Sequence, residues 1–395
     1  MNKFNFLALF CLIVITGCGK NTNPDKGNKN IPTVELHKLA DHKSEKLLAH
    51  ELFSDIRIIR PETGEQSLIG RYYSVKAYKN HLLINSESKS LHVYDFNGRF
   101  LFKTKQGKGP DEFVETSDFA IDTGSDEVLI LDSPRKRVLR LNLEGNVQDA
   151  FRLKESVTNM AYVGEDKCCY YVPFNFYAQN GKHGDYFFIA DKIGNISDSL
   201  FIERKISKSP WVTMVNFVSN KGSVYFQPSH YDTVFTVSNC QFKPALILDY
   251  GNYRMPFKYI ASLKTRRKHA NKYLHLGSIF HTPGHLIIGY KFQGPFNYAI
   301  YNKKTKTFQV AAVNREQRKT GIIFGSGDKS LYLRLHSVYK GNKVVMSCMA
   351  QDVMQYLKNY NNLSNGFYEP LIDTLQKVKE NDNPVFFIGE FRENS

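Results

Sequence analysis

The chain has 395 residues, 42% hydrophobic and 13% aromatic, with 23 Tyr and 29 Phe against one Trp. That supplies a sizeable core and favours strands. The formal net charge of +15 would suit nucleic acid, but the apolar, secretory-type run at Phe4 to Ile15 argues for export and against nucleic acid, leaving anionic lipid head groups, acidic glycans or simply a solvated basic surface.

The signal is compact. Lys3 supplies a positive start, Phe4 to Ile15 is almost unbroken apolar sequence, and Thr16-Gly17 are small residues before Cys18. An apolar run this short is a secretory signal, because a membrane span needs about 20 apolar residues. The stretch Ile15-Thr16-Gly17-Cys18 resembles the bacterial lipobox, which implies acylation of Cys18 and attachment to a membrane through the lipid. Gly19 to Asn30 contains no apolar residue and cannot build a core. The expected division is therefore a signal peptide over 1–17, a lipidated cysteine with a flexible tether over 18–50, and one folded domain over 51–395. Lipoproteins displayed on the bacterial surface usually carry acidic residues close behind the cysteine. Here Asp25 stands against Lys20, Lys26 and Lys29, which favours the periplasmic side of the outer membrane.

Behind the tether a unit recurs: an apolar strand, a polar turn, a second apolar strand, then Asp or Asn and often Gly. It reads HLLINSESKSLHVYDFNGRFLF at 81–102 and EVLILDSPRKRVLRLNLEGNVQDAF at 127–151. Looser copies follow at 168–201, 223–248, 285–310 and 330–350. Gly98, Gly145 and Gly194 lie 47 and 49 residues apart, the period of propeller blades. A lone sheet with two apolar faces needs neighbours on both sides, and closing the ring removes its ends. The expected fold is all-β: a six-bladed β-propeller with four-stranded antiparallel blades and short helical insertions near the C-terminus. Asp55 to Pro61 and Pro384 to Phe391 have no partners within a unit and are expected to pair, clasping the sixth blade shut. Gln351 to Tyr360 and Pro370 to Glu380 read as helices interrupting that blade, the second with Leu371, Leu375 and Val378 on one face.

The layout is similar to the six-bladed propeller lipoproteins of Bacteroides-type bacteria, broadly akin to NHL-repeat propellers. The matches are the lipobox, Gly107-Lys108-Gly109-Pro110-Asp111-Glu112-Phe113 after the first unit, and the ending Glu380-Asn381-Asp382-Asn383-Pro384-Val385. Where the family commonly has a second Gly after Pro, this chain has Asp111. The resemblance implies the fold and an association with glycan uptake; it assigns no activity.

Four cysteines remain beyond Cys11 and Cys18: Cys168, Cys169, Cys240 and Cys348. Cys168 and Cys169, adjacent in a strand, must point to opposite faces, and buried thiols are the expected state. The loop 107–113 fails the phosphate-loop pattern because Gly109 follows Lys108; it reads as a turn with Phe113 packing on the next blade. His269, His275, His281 and His285 cluster in sequence, but Pro283 and Gly284 break any helix, so they read as rim histidines. Lys264, Arg266, Arg267 and Lys268 form the densest basic run, a candidate contact for ligand or anionic lipid. No metal or cofactor motif is present, and no local catalytic motif. The reading is a non-catalytic propeller binding a glycan or an envelope protein at one mouth of the ring. A carbohydrate hydrolase or lyase, and a structural subunit of an outer-membrane assembly, are the alternatives.

Overall fold

The computed structural model describes residues 31–204, 215–220, 222–260, 263–314, 319–325, 330–360 and 366–392. Cys11, Cys18 and the signal lie outside them. Six sheets are arranged as six blades. Their inner strands are Tyr72–Tyr78, Asp118–Asp122, Asn159–Gly164, Val218–Asn220, His275–His281 and Leu331–Tyr339. In blades 1 to 5 three further antiparallel strands follow outward in chain order, with a small additional hairpin in blade 3.

Apolar residues on both faces of each strand make this possible. In blade 3, Cys168 and Tyr170 pack towards blade 2 while Cys169 and Tyr171 pack towards blade 4. The buried residues fall into six clusters, each between two neighbouring blades and one of them between blades 6 and 1. All four described cysteines are buried, unbonded thiols.

The repeated Asp/Asn-x-x-Gly is the turn from third to fourth strand. In blades 1, 2 and 3 the Asp95, Asn142 and Asp191 carbonyls accept from Gly98, Gly145 and Gly194 at 3.0, 3.0 and 3.1 Å. The side-chain Oδ1 of each first residue accepts from the backbone as well, as from Asn97 and Arg99 on Asp95, both at 2.9 Å. Gly98 has φ +88°, and a Cβ there would stand 1.9 Å from the Arg60 carbonyl oxygen, so glycine is required.

Blade 6 closes the ring as expected. Val385–Phe391 pairs antiparallel with Phe53–Ile59, Ile388 opposite Arg57. The helices Ala350–Lys358 and Glu369–Gln376 interrupt this blade between its second and third strands. Leu375 and Val378 are buried, and Leu371 packs partly against them. The looseness of the third unit comes from a short added strand, Ala178–Gln179, that pairs with the start of Lys182–Asp191; it conceals no further blade.

Two expectations are corrected. The flexible tether does not extend to residue 50, because from Thr33 the chain is built into the ring. Thr33–Val34 adds a parallel strand to the outer edge of blade 4, Ser44–Glu45 does the same to blade 5, and Leu48 bridges to Ile323 of blade 6. This belt is fixed by burial of Val34, Leu36, Leu39, Leu47 and Leu52, each worth about 1.5–3 kcal/mol at full burial. The repeating units, secondly, begin one strand late: the 81–102 unit starts at the second strand of blade 1 and omits the inner strand Tyr72–Tyr78. Among the described residues no helix is long and apolar enough to cross a membrane.

Candidate functional site

The inner strands enclose a central channel of about 1330 Å³, lined from all six blades. One mouth is distinctive. In an up-and-down blade, the loops between blades and those between second and third strands leave on the same face. The helix Leu263–His269 lies between blades 4 and 5 and Ala350–Lys358 between the second and third strands of blade 6, so both stand on this face. Phe296 and Met349, 40% and 46% exposed, add apolar surface to the lining.

Polar groups on the wall are mostly committed to one another. Lys76 of blade 1 donates to the Phe119 carbonyl of blade 2, and its ammonium lies 4.4 Å from the Phe119 ring centroid and 4.0 Å from Asp118 Oδ1. Burial lowers its pKa, opposed by the Asp118 charge. Asp118 in turn accepts from the Met160 backbone at 3.0 Å and from Asn159 Nδ2 at 3.4 Å, tying blade 2 to blade 3. Asp352 is held by Lys319 at 2.6 Å. Among the described residues both lining carboxylates are thereby engaged, and neither is poised beside the other as an acid and base pair would be.

Blade 6 carries the exception. Arg334 is exposed in the lining and has no ion pair among the described residues. Beside it, His336 Nε2 and Ser347 Oγ are 2.8 Å apart, and Ser347 Oγ is 2.6 Å from the Tyr72 hydroxyl. Burial first, and the Arg334 charge second, push the His336 pKa down to about 3, so the imidazole is neutral. Among the described residues the channel therefore presents a guanidinium without an ion pair, hydrogen-bonding hydroxyls and aromatic edges, a surface suited to holding a polar ligand.

The residues singled out in the sequence are dispersed. Of the basic run, Arg266 lines a smaller cavity between blades 4 and 5, while Lys264, Arg267 and Lys268 are exposed. The four histidines do not converge. His275 and His281 occupy opposite ends of one strand, about 20 Å apart at strand rise. His269 stacks on Tyr259 at 4.0 Å, and His285 stacks on Phe391 at 5.0 Å. Among the described residues no group of three or more His, Cys, Asp or Glu is placed to hold a metal ion.

The loop 107–113 is a clamped turn. Arg135 donates to the carbonyls of Gly107, Gly109 and Glu112, and Arg137 to those of Pro110 and Glu112. Phe113 is 1% exposed and packs between blades 1 and 2. Sequence reasoning missed Lys76 and Arg334 because they sit on inner strands. The signal available was a charged residue inside an otherwise alternating strand, as at Leu333-Arg334-Leu335.

The fold has counterparts among solved structures. A Bacteroides fragilis protein described as exported superposes with a TM-score of 0.68 at 16% identity, covering 92% of this chain and 100% of that one. A Bacteroides vulgatus member of the DUF4221 family gives 0.47 at 9% identity, covering 86% and 97%. The first likeness shows a shared fold. No curated protein is similar in sequence. Residues 31–390, from the belt through the closing strand, match a single family throughout. The chain belongs to DUF4934, a domain family of unknown function.

Proposed function

We propose that the protein is a lipid-anchored component of the bacterial cell envelope whose propeller binds a glycan or a partner protein at the mouth of its channel, without turnover. The signal, Cys18 and the polar stretch behind it support export and anchoring, and a relative of the same fold is described as exported. The composition of the tether supports the periplasmic face of the outer membrane, and the resemblance to six-bladed propeller lipoproteins supports an association with glycan uptake. The observation that carries the binding reading is Arg334, a guanidinium with no ion pair among the described residues, in a channel whose described lining carboxylates are engaged.

The test is a glycan array and an envelope pull-down with the intact protein and its Arg334→Gln variant. A specific binder is expected whose affinity falls about tenfold or more in the variant, as for a lost charge-assisted hydrogen bond of about 1.5–3 kcal/mol. Silence from both screens, or equal binding by the variant, overturns the proposal. Release of glycan fragments would replace it with the hydrolase or lyase reading.

A further inference from the structure

Beside the channel, an alcove of about 310 Å³ opens between blades 4 and 5, sharing Asn216, Gly277 and Ser278 with the channel wall. That volume is at the small end for ligand sites and equals the share of about ten liquid waters. It suits one small group. The connection between the two blades, which includes the helix Leu263–His269, contributes Arg254 and Arg266 to the lining. The loop between the second and third strands of blade 4 contributes His230 and Asp232.

Charge in the alcove does not cancel. Among the described residues Asp232 is the one carboxylate of the lining, and Arg254 donates to it and to the His230 carbonyl. Arg266 has no acidic partner among the described residues. His230 responds to this field: burial pushes its pKa down to about 3, and Arg204, Arg266, His275 and Arg254 all act in the same direction. A neutral donor completes the set. The Tyr250 hydroxyl accepts from Gln227 Nε2 at 3.2 Å, which leaves its own O–H to donate. Burial raises its pKa to about 12 and keeps that proton in place.

We propose that the alcove is a binding site for the anionic oxygens of a small ligand, a carboxylate or a phosphate, held by the guanidinium of Arg266 with the Tyr250 hydroxyl as second donor. A planar guanidinium matches both groups through paired N–H donors. The site stands apart from the channel reading, since Arg266 does not line the channel and Arg334 does not line the alcove.

The intact protein in detergent micelles is titrated calorimetrically at low salt with D-glucuronate, inorganic phosphate and neutral D-glucose. Glucuronate alone, phosphate alone or both are expected to bind, and glucose not at all; which anion binds identifies the group. Arg266→Gln is expected to weaken binding about tenfold or more and Tyr250→Phe about threefold. Lys304→Gln, an exposed lysine on a distant turn, serves as the control for non-specific charge and should bind as the parent does. Circular dichroism of each variant establishes that it is folded. The proposal is overturned if neither anion binds at about 10 mM, or if folded Arg266→Gln binds as the parent does. It is overturned equally if Lys304→Gln weakens binding as much as Arg266→Gln does. Loss of binding in Arg334→Gln with none in Arg266→Gln would move the anion into the channel and refute the alcove while leaving the channel reading intact.

Discussion

Asn383 offers the sharpest test of how the ring is held closed. It is 2% exposed and sits just before the strand Val385–Phe391. Its Oδ1 accepts from the Ile69 backbone at 2.9 Å, and its Nδ2 donates to the carbonyls of Glu62 and Ser67 at 2.8 and 2.9 Å. One side chain thus pins the whole connection from the closing strand Phe53–Ile59 to blade 1. Replacing it with alanine removes three hydrogen bonds, each worth about 1 kcal/mol net. The Ser67 carbonyl keeps the Tyr94 hydroxyl and Glu62 is exposed to water, but the buried Ile69 N–H loses its partner, and a buried polar group left unpaired costs about 1–3 kcal/mol. Asn383→Ala should therefore cost about 3–5 kcal/mol. With a urea m-value of about 3 kcal/mol/M for a chain this size, the unfolding midpoint would fall by about 1 M or slightly more. Far-UV circular dichroism against urea measures it. Asn381→Ala, two residues earlier and exposed, should move the midpoint by less than about 0.5 kcal/mol equivalent. A loss below about 1 kcal/mol for Asn383→Ala would refute the pinning role.

Arg204→Ala should cost about 3–5 kcal/mol by the same assay. It removes the cation from Asp185, 0% exposed, whose Oδ2 accepts from Arg204 Nε at 2.7 Å while Oδ1 keeps the Tyr171 hydroxyl at 2.8 Å; a change below about 1 kcal/mol would count against that pair. Stability should also fall as pH drops from about 6.5 to 5. Burial holds His281 and His336 near pKa 3 and His92 near 4 when folded, while unfolded histidine titrates near 6.5. Across that window the unfolded chain binds more protons, so lowering pH favours unfolding. His336→Gln should flatten the slope by up to about 1.4 kcal/mol per pH unit, and urea midpoints across the window would show an unchanged slope if His336 were charged when folded.

The blade number, the turn glycines and the closing pair were legible because each rests on a local rule. Gly98, Gly145 and Gly194 mark positive-φ turns, and Phe53–Ile59 and Val385–Phe391 are apolar strands with no partner nearby in sequence. The inner strands were less legible because one face meets the channel. There Ser74, Lys76 and Asp118 interrupt the apolar pattern, and periodicity reads such a strand as a linker. The candidate site was illegible for a related reason. Arg334, Lys76 and Asp118 are more than 200 residues apart at the extremes and come to one channel wall only when the ring closes. The belt was overlooked because Val34, Leu36 and Leu39 are too few and too irregularly spaced to signal an element, and their burial depends on edges supplied by blades 4 and 5.

That belt has a mechanical consequence. The strand that locks the ring, Phe53–Ile59, follows directly behind the N-terminal segment, so tension arriving from a membrane tether would reach the lock first if nothing intervened. The strap along blades 4 to 6 would be loaded before it, and its two-residue pairings at Thr33–Val34 and Ser44–Glu45 would give way first. Pulling on the N-terminus in an optical trap should give a low-force extension of about 65 Å, the contour of residues 33–52, ahead of the main rupture. A single rupture without that step would show that the lock bears the load itself.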